Sequence, residues 1–361
     1  MTWGNRAWWA VVWRERWHVA VLLLATLPLL SRLGGAPGHG EAWQAERREV
    51  VKQLERTAVT IDRQVLQDRL NARPSLRWRV GAFAWAGIMA FGIGCLALWR
   101  TIRRVCRGEA AFPRGPSPPS APWGLWDLVK LFAWLIWMAQ VITIVHAVVM
   151  HAFQLEGMDR HLAATVNTVL LDGLAILLVT VLILRRHRVS ARLLGLRGDH
   201  LRQQVAIGLW GYVLWVPLFA ATVAAVMGIV QWLRLEPMPQ AVVAMLLQES
   251  RPRLLLLLMG VVAVLGPVAE EIVFRGVAYP ALRRRWGIRW GVSGSAALFA
   301  AMHADPVAFG PVFVLGVLLC WLYEQTGSLI PSMTVHIVHN SVMLVAAMTV
   351  RDLLHLLGGP G

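Results

Sequence analysis

Three short groups of polar residues interrupt apolar stretches in the last third of the chain, and their side chains could perform chemistry. They are Glu270, Glu271 and Arg275, then Phe299 and His303, and then His336, His339 and Asn340. A carboxylate or an imidazole can take a proton from water, while imidazole and carboxamide groups can donate hydrogen bonds to an oxyanion. A charge near the middle of a membrane helix costs about 2.5 to 3.5 kcal/mol, so we expect these side chains to share one protein interior.

The spacing within the first group separates two roles. On a helix, Glu271 and Arg275 are four residues apart and lie on the same face, so they can form an ion pair. Glu270 points about 100° away from Glu271 and can stay free for chemistry. The alternative is that all three charges form a buried network that locks this helix to its neighbours.

The histidines occupy positions that helices could bring to the same site. His303 follows a run of small residues at 291–297, which lets membrane helices approach closely. His336, His339 and Asn340 lie along one side of the last helix, and His336 and Asn340 are the best aligned. Counted from the helix ends, Glu270 and His336 are about 12 to 15 Å deep and His303 about 21 Å deep, a mismatch that is tolerable if the helix of His303 is tilted or starts deeper. The alternative is a packing or interhelical hydrogen-bonding role.

The composition indicates a membrane environment. Of the 361 residues, 57% are apolar and 15% are charged, and the mean hydropathy is +0.56. We expect an all-α fold, a polytopic membrane bundle of about nine transmembrane helices. The expected spans are 17–33, 80–100, 124–149, 163–184, 205–233, 254–279, 289–304, 307–325 and 328–350. The first could be a signal peptide, but the lack of a clean cleavage site favours a retained anchor.

Arginine clusters predict the orientation of this bundle. The clusters at 6–16, 103–114, 185–202 and 283–289 fall on one side of the membrane if the spans alternate. By the positive-inside rule that side is the cytoplasm, so the amino terminus is expected inside. The arginine-for-lysine bias and compact loops favour a bacterial plasma membrane. The net charge of +15 therefore indicates the lipid bilayer as a partner and not nucleic acid, since no nucleic-acid-reading motif accompanies it.

The chain divides into two expected regions. Residues 1–122 form an N-terminal anchor region with two transmembrane helices, an extracytoplasmic amphipathic helix at 41–79 and a proline-rich linker at 112–122. Residues 123–361 form the membrane body, and the three polar groups lie within a core at about 250–350.

The ordered set E-E-x-x-x-R, F-x-x-x-H and H-x-x-x-N on successive membrane helices resembles the CPBP family of intramembrane endopeptidases. This family is also called the Abi or CAAX protease family and includes the Rce1-type prenyl-protein proteases. The resemblance covers roughly residues 250 to 350. It implies an endopeptidase that cleaves a peptide or protein substrate at the membrane.

The resemblance also implies roles for individual residues. Glu270 would be the general base, and His303 would help to activate the attacking water. His336 and Asn340 would stabilise the oxyanion. The supporting residues would be Glu271, Arg275 and Phe299, and His339, which is an additional histidine beyond the family pattern.

A metal site is the alternative form of this chemistry. Glu270, His303 and His336 could ligate zinc together with a water. Against zinc, the sequence lacks H-E-x-x-H, and Asn340 is a better oxyanion donor than zinc ligand. Its three cysteines, Cys95, Cys106 and Cys320, form no C-x-x-C pair. We therefore expect no cofactor.

Two other classes of protein fit the same residues. A non-catalytic binding, scaffold or immunity-type protein could carry these motifs without hydrolysis. A proton-coupled transporter could relay protons through Glu270, His303 and His336, and Asp172 and His146 could extend that path. The endopeptidase is preferred because the three motifs together provide both a base and oxyanion donors.

Overall fold

The computed structural model describes residues 63–109, 117–152, 160–234 and 240–357, together with residues 18, 21, 45 and 47–52. All regular elements within these ranges are helices. Most of the predicted first span, 17–33, lies outside the described residues, as do 112–116 of the predicted linker and parts of the predicted segment 41–79.

Six helices precede the segment that carries the polar groups. They are α1 (Arg63–Asn71), α2 (Pro74–Cys106), α3 (Leu125–Ala152), α4 (Arg160–Leu178), α5 (Leu201–Trp232) and α6 (Ala241–Gln248). A π-helical stretch, Val179–Arg185, extends α4, and a short 3-10 helix, Ala191–Leu194, precedes α5.

Five helices form the remainder of the chain. They are α7 (Pro252–Gly260), α8 (Gly266–Glu271), α9 (Tyr279–Met302), α10 (Pro306–Thr326) and α11 (Leu329–Leu356). Two π-helical stretches, Val261–Leu265 and Ile272–Ala278, join α7 to α8 and α8 to α9.

Seven helical segments in the described ranges are long and apolar enough to cross a membrane. They overlap eight of the nine predicted spans, because the 51-residue segment Pro252–Met302 covers 254–279 and most of 289–304. This segment is broken at Gly287, where φ is 79° and ψ is 177°. Only glycine adopts that backbone conformation readily, since it has no Cβ atom. The predicted all-α polytopic membrane bundle is confirmed.

The two ends of the bundle differ in their contacts. At one end, Arg284 Nη1 donates to the carbonyl oxygens of Ala121 and Pro122, each at 3.1 Å. At the other, Arg69 Nη1 donates to the carbonyl oxygen of Leu356 at 2.7 Å. Within the predicted amphipathic segment 41–79, α1 covers residues 63–71, and residues 74–79 form the beginning of α2.

Helix α5 packs against α2, α10 and α11, and glycine makes its contact with α11 possible. We expect Gly208→Ala to destabilise the protein by about 1 to 3 kcal/mol. A Cβ atom there would lie 2.6 Å from Thr334 Cβ and 2.7 Å from the carbonyl oxygen of Pro331, so α5 would have to move away from α11.

Gly228→Ala on the same helix is the matched control, because nothing lies within 4 Å of a Cβ atom at that position. The higher helix propensity of alanine should make this variant slightly more stable than the wild type. Thermal unfolding in one detergent measures both variants. Equal unfolding temperatures would contradict the close α5–α11 contact.

Candidate active site

The two adjacent glutamates lie on α8, a short helix with a π-helical stretch on each side. Pro267 in α8 has no N–H, and its ring would clash with the carbonyl group four residues earlier, so the regular α-helical hydrogen bond cannot form at this position. The wider turn at Val261–Leu265 precedes this proline. Asn340 Nδ2 on α11 donates to the carbonyl oxygen of Val262 in that turn at 2.8 Å. Such π-helical turns are rare and often occur at functional sites.

Glu271 is completely buried in a network with a neighbour from its own helical segment and one from α11. Arg275 Nη1 donates to Glu271 Oε1 at 2.8 Å, so the ion pair predicted from the spacing is present. His336 Nδ1 donates to the same oxygen at 2.9 Å. Arg275 is also completely buried, and its Nη2 is 3.4 Å from the carbonyl oxygen of Gly316 on α10. This network joins the glutamate helix to α10 and α11.

His336 lies between the two glutamates. Its Nδ1 faces Glu271, while its Nε2 is 3.5 Å from Glu270 Oε2. The Glu270 side chain is 35% exposed, whereas those of His336 and Glu271 are 3% and 0% exposed. The two neighbouring glutamates therefore differ in environment, as their separation around the helix predicts, and only Glu270 is open to water or a substrate.

Phe299 organises the second motif. Its ring packs edge-on against His303 and His336, with centroids 4.9 and 5.5 Å apart. The Arg275 guanidinium lies over the same ring at 4.3 Å, a cation–π distance. One buried phenylalanine thus contacts a member of each of the three motifs.

His303 lies immediately after α9 and is oriented by the last turn of that helix. Its Nδ1 is 2.9 Å from the carbonyl oxygen of Phe299, which can only accept a hydrogen bond, so Nδ1 carries the proton. In the neutral ring, Nε2 is then the nitrogen with a free lone pair. A water molecule can therefore donate to this atom.

His339, the additional histidine, faces α5. Trp215 Nε1 donates to His339 Nδ1 at 3.2 Å, and the rings of Trp215 and Phe219 pack edge-on against the imidazole. The motif spacing gives no indication of this aromatic neighbourhood, because Trp215 and Phe219 come from a distant helix.

The motif residues line a common cavity of about 880 Å³. Its walls include the following six of them: Glu270, Phe299, His303, His336, His339 and Asn340. A second cavity, of about 400 Å³, shares Glu270 and His303 with the first. Asp172 on α4 also lines both cavities, and its Oδ2 atom is buried without a hydrogen-bond partner among the described residues. Three motifs separated along the sequence therefore converge on one interior space.

A comparison with known families matches the segment that carries the three motifs. Residues 252–342 match the family described as type II CAAX prenyl endopeptidase, Rce1-like. We call this matched segment the Rce1-like domain. No curated protein and no solved structure matches the chain. The Rce1-like domain contains all three motifs and supports a membrane protease that acts on peptides or proteins, while α1 to α6 lie outside the matched segment.

The Rce1-like domain does not arrange the proposed zinc ligands for coordination. Across the residues that the structure describes, no group of three or more histidine, cysteine, aspartate or glutamate side chains could hold a metal ion. Glu270, His303 and His336 share one cavity, but these three side chains do not come together as such a group.

Asp172 is the residue near the Rce1-like site that the motifs do not include. From the sequence, it appears only as a possible extension of a proton path in a transporter. An ideal Cβ atom on Gly266 would lie 3.7 Å from Asp172 Oδ2, and Gly266 is one helical turn before Glu270. An acidic residue inside a predicted span is the only sequence signal that could have indicated it.

Proposed function

We propose that the protein is an intramembrane endopeptidase in which Glu270 and His303 activate water for attack on a peptide carbonyl. The observation that supports this most directly is the meeting of Glu270, His303, His336 and Asn340 at one cavity. The Rce1-like match supports the same reaction class.

In the proposed reaction, Glu270 takes a proton as the water oxygen bonds to the carbonyl carbon. His303 Nε2 accepts the other hydrogen bond of that water, because Nδ1 is held by the carbonyl oxygen of Phe299. The tetrahedral intermediate then loses its C–N bond, and Glu270 returns the proton to the leaving amine. The products are a carboxylic acid and an amine, and Glu270 is regenerated as a carboxylate.

Asn340 and His336 are the proposed donors to the oxyanion. The Asn340 amide has two N–H groups. One of them donates to the carbonyl oxygen of Val262. His336 Nδ1 donates to Glu271, so its Nε2 can donate only when the ring carries both protons. Asn340 is therefore the donor whose action does not depend on protonation, and removal of such a donor typically costs about a hundredfold to a thousandfold in kcat.

Hydrolysis is tested by incubating the purified protein with a mixture of synthetic apolar peptides in detergent. The expected result is peptide cleavage in which heavy-oxygen water labels the new carboxyl group, as measured by mass spectrometry. A protein that binds these peptides without producing labelled fragments would contradict the proposed function.

We expect chelation to leave the proposed reaction unchanged. Glu270 as the base and Asn340 as the oxyanion donor require no Lewis acid, and the described side chains form no metal-binding group. The dependence of cleavage on metal is measured by comparing cleavage rates before and after dialysis against a strong chelator. Elemental analysis of the purified protein measures its metal content. Stoichiometric zinc, with activity lost to the chelator and restored by zinc, would support the metal alternative instead.

A further inference from the structure

The 51-residue apolar segment that carries the first two motifs forms a hairpin, and we call residues 284–290 the hairpin tip. Ser295 Oγ donates to the carbonyl oxygen of Phe274 at 3.0 Å, and an added Cβ atom on Gly291 would lie 2.9 Å from Arg283 Cα. The chain after the tip therefore runs back along the chain before it. Because one membrane crossing needs about 20 residues, the segment is long enough to cross twice, with its tip at one membrane surface.

The hairpin tip combines cations with large apolar side chains. Apart from one glycine, every tip side chain is exposed and is either cationic or apolar: Arg284, Arg285, Trp286, Ile288, Arg289 and Trp290. The sequence from 279 to 302 contains no acidic residue. Tryptophan is enriched at the level of the lipid headgroups, and arginine is attracted to anionic lipids. The tip therefore suits a membrane surface that contains anionic lipids.

A third cavity, of about 250 Å³, lies between the hairpin tip and the chain that precedes α3; we call it the tip cavity. Its walls include residues from both sides: Pro119, Ser120, Ala121, Arg283, Arg284 and Ile288. Among the described residues that line it, two are arginines and none is acidic. A cavity of this size can hold several water molecules or one phosphate group. Its charge therefore favours an anionic occupant.

The two arginines of the tip cavity differ in how their charge is compensated. Arg283 Nη2 donates to Glu324 Oε1 at 2.8 Å, so this cation is paired with an anion. Arg284 Nη1 donates to the carbonyl oxygens of Ala121 and Pro122, which are neutral acceptors. A guanidinium has five N–H groups, so Nε and Nη2 of Arg284 can still donate to an oxyanion. Arg284 is thus held at the cavity with its charge available to a ligand.

We propose that the tip cavity binds the phosphate group of an anionic phospholipid, with Arg284 as the principal donor. A guanidinium forms strong, charge-assisted hydrogen bonds with phosphate oxygens. Ile288 borders the cavity, and Trp286 and Trp290 are exposed on the same tip. Acyl chains can remove these apolar surfaces from water, whereas a free phosphate ion cannot, so the lipid is favoured over the ion. This binding does not depend on peptide hydrolysis, so it goes beyond the proposed function.

The test measures which lipid the purified full-length protein retains. The probe is phosphatidylglycerol in bilayer discs with an equal amount of phosphatidylcholine, and native mass spectrometry counts the lipids that stay bound to the released protein. The wild type should retain one phosphatidylglycerol in preference to phosphatidylcholine. Arg284→Gln should lower this preference by about tenfold or more. Ser120→Phe should lower it as well, because the ring occupies the cavity without changing the charge.

Each variant has a matched control. Ser117→Phe adds the same ring at an exposed position of the same stretch that does not line the cavity, and it should retain the lipid. Arg285→Gln removes a tip charge outside the cavity lining and should have a smaller effect than Arg284→Gln.

Three results would overturn the proposal. Unchanged retention in Ser120→Phe, with equal losses in Arg284→Gln and Arg285→Gln, would indicate diffuse attraction to the tip and no bound headgroup. Equal retention of the two lipids by the wild type would show that the cavity does not select an anion. Displacement of phosphatidylglycerol by inorganic phosphate would assign the cavity to the free ion. If Arg284→Gln fails to fold, the comparison of Ser120→Phe with Ser117→Phe decides.

Discussion

Glu270→Gln is expected to abolish measurable peptide hydrolysis, with a loss in kcat of about a hundredfold to ten-thousandfold. Glutamine keeps the size of the side chain but cannot take a proton from water. The fold should be unaffected, because Glu270 is 35% exposed at the cavity and the buried pair with Arg275 uses Glu271. The measurement is a steady-state cleavage assay on purified protein, with thermal unfolding as the test of folding.

Asp172→Asn is the matched control for this variant. Asp172 is the other carboxylate that lines both cavities, so it is the competing candidate for the base. We expect Asp172→Asn to retain activity within about tenfold of the wild type, since the proposed proton transfer uses Glu270. An inactive Asp172→Asn enzyme beside an active Glu270→Gln enzyme would assign the base to Asp172.

The helical period was sufficient to predict the local geometry of the first motif. The four-residue spacing of Glu271 and Arg275 predicted their ion pair. The different angular position of Glu270 predicted that its surroundings differ from those of Glu271. Both follow from one helix alone, because residues four apart lie on the same side, and adjacent residues on different sides, in α-helical and π-helical turns alike. The eight apolar stretches within the described residues were predicted for the same reason, since length and composition identify a span locally.

Counting residues along one helix could not predict which side chains surround His303. Counting from Arg289 assumed a helix that begins there and runs straight, which placed His303 about 21 Å deep. The direction of that helix depends on the turn at Gly287, a backbone conformation that the sequence does not specify, since it contains 31 glycines. The structure brings His303 against Phe299 and into the same cavity as Glu270.

Contacts between helices that are far apart along the chain could not be predicted from the sequence either. The alignment of His336 with Asn340 suggested a joint pair of oxyanion donors, whereas the structure directs them at different partners, Glu271 and the Val262 carbonyl oxygen. These arrangements depend on how helices pack, which the period of a single helix does not determine.

Arg275→Met is expected to destabilise the protein by about 3 to 5 kcal/mol. The substitution removes one member of a completely buried ion pair and leaves the Glu271 carboxylate with less compensation. It also removes the guanidinium that lies 4.3 Å from the centre of the Phe299 ring, so the ring that orients His303 and His336 would lose a packing partner. Unfolding in detergent, followed by temperature or denaturant, measures the loss.

The double variant Glu271→Gln with Arg275→Met separates charge from packing. Glutamine leaves no unpaired carboxylate, so the double variant should be more stable than Arg275→Met alone. With Glu271→Gln measured as well, the cycle should give an interaction energy of about 0.5 to 3 kcal/mol. Arg275→Lys keeps the cation but not the planar fork, and we expect an intermediate loss. If Arg275→Met were as stable as the wild type, the Glu271–Arg275–His336 network would not hold α10 and α11 to the glutamate helix. If the double variant were the least stable, packing of the arginine stem, and not its charge, would account for the loss.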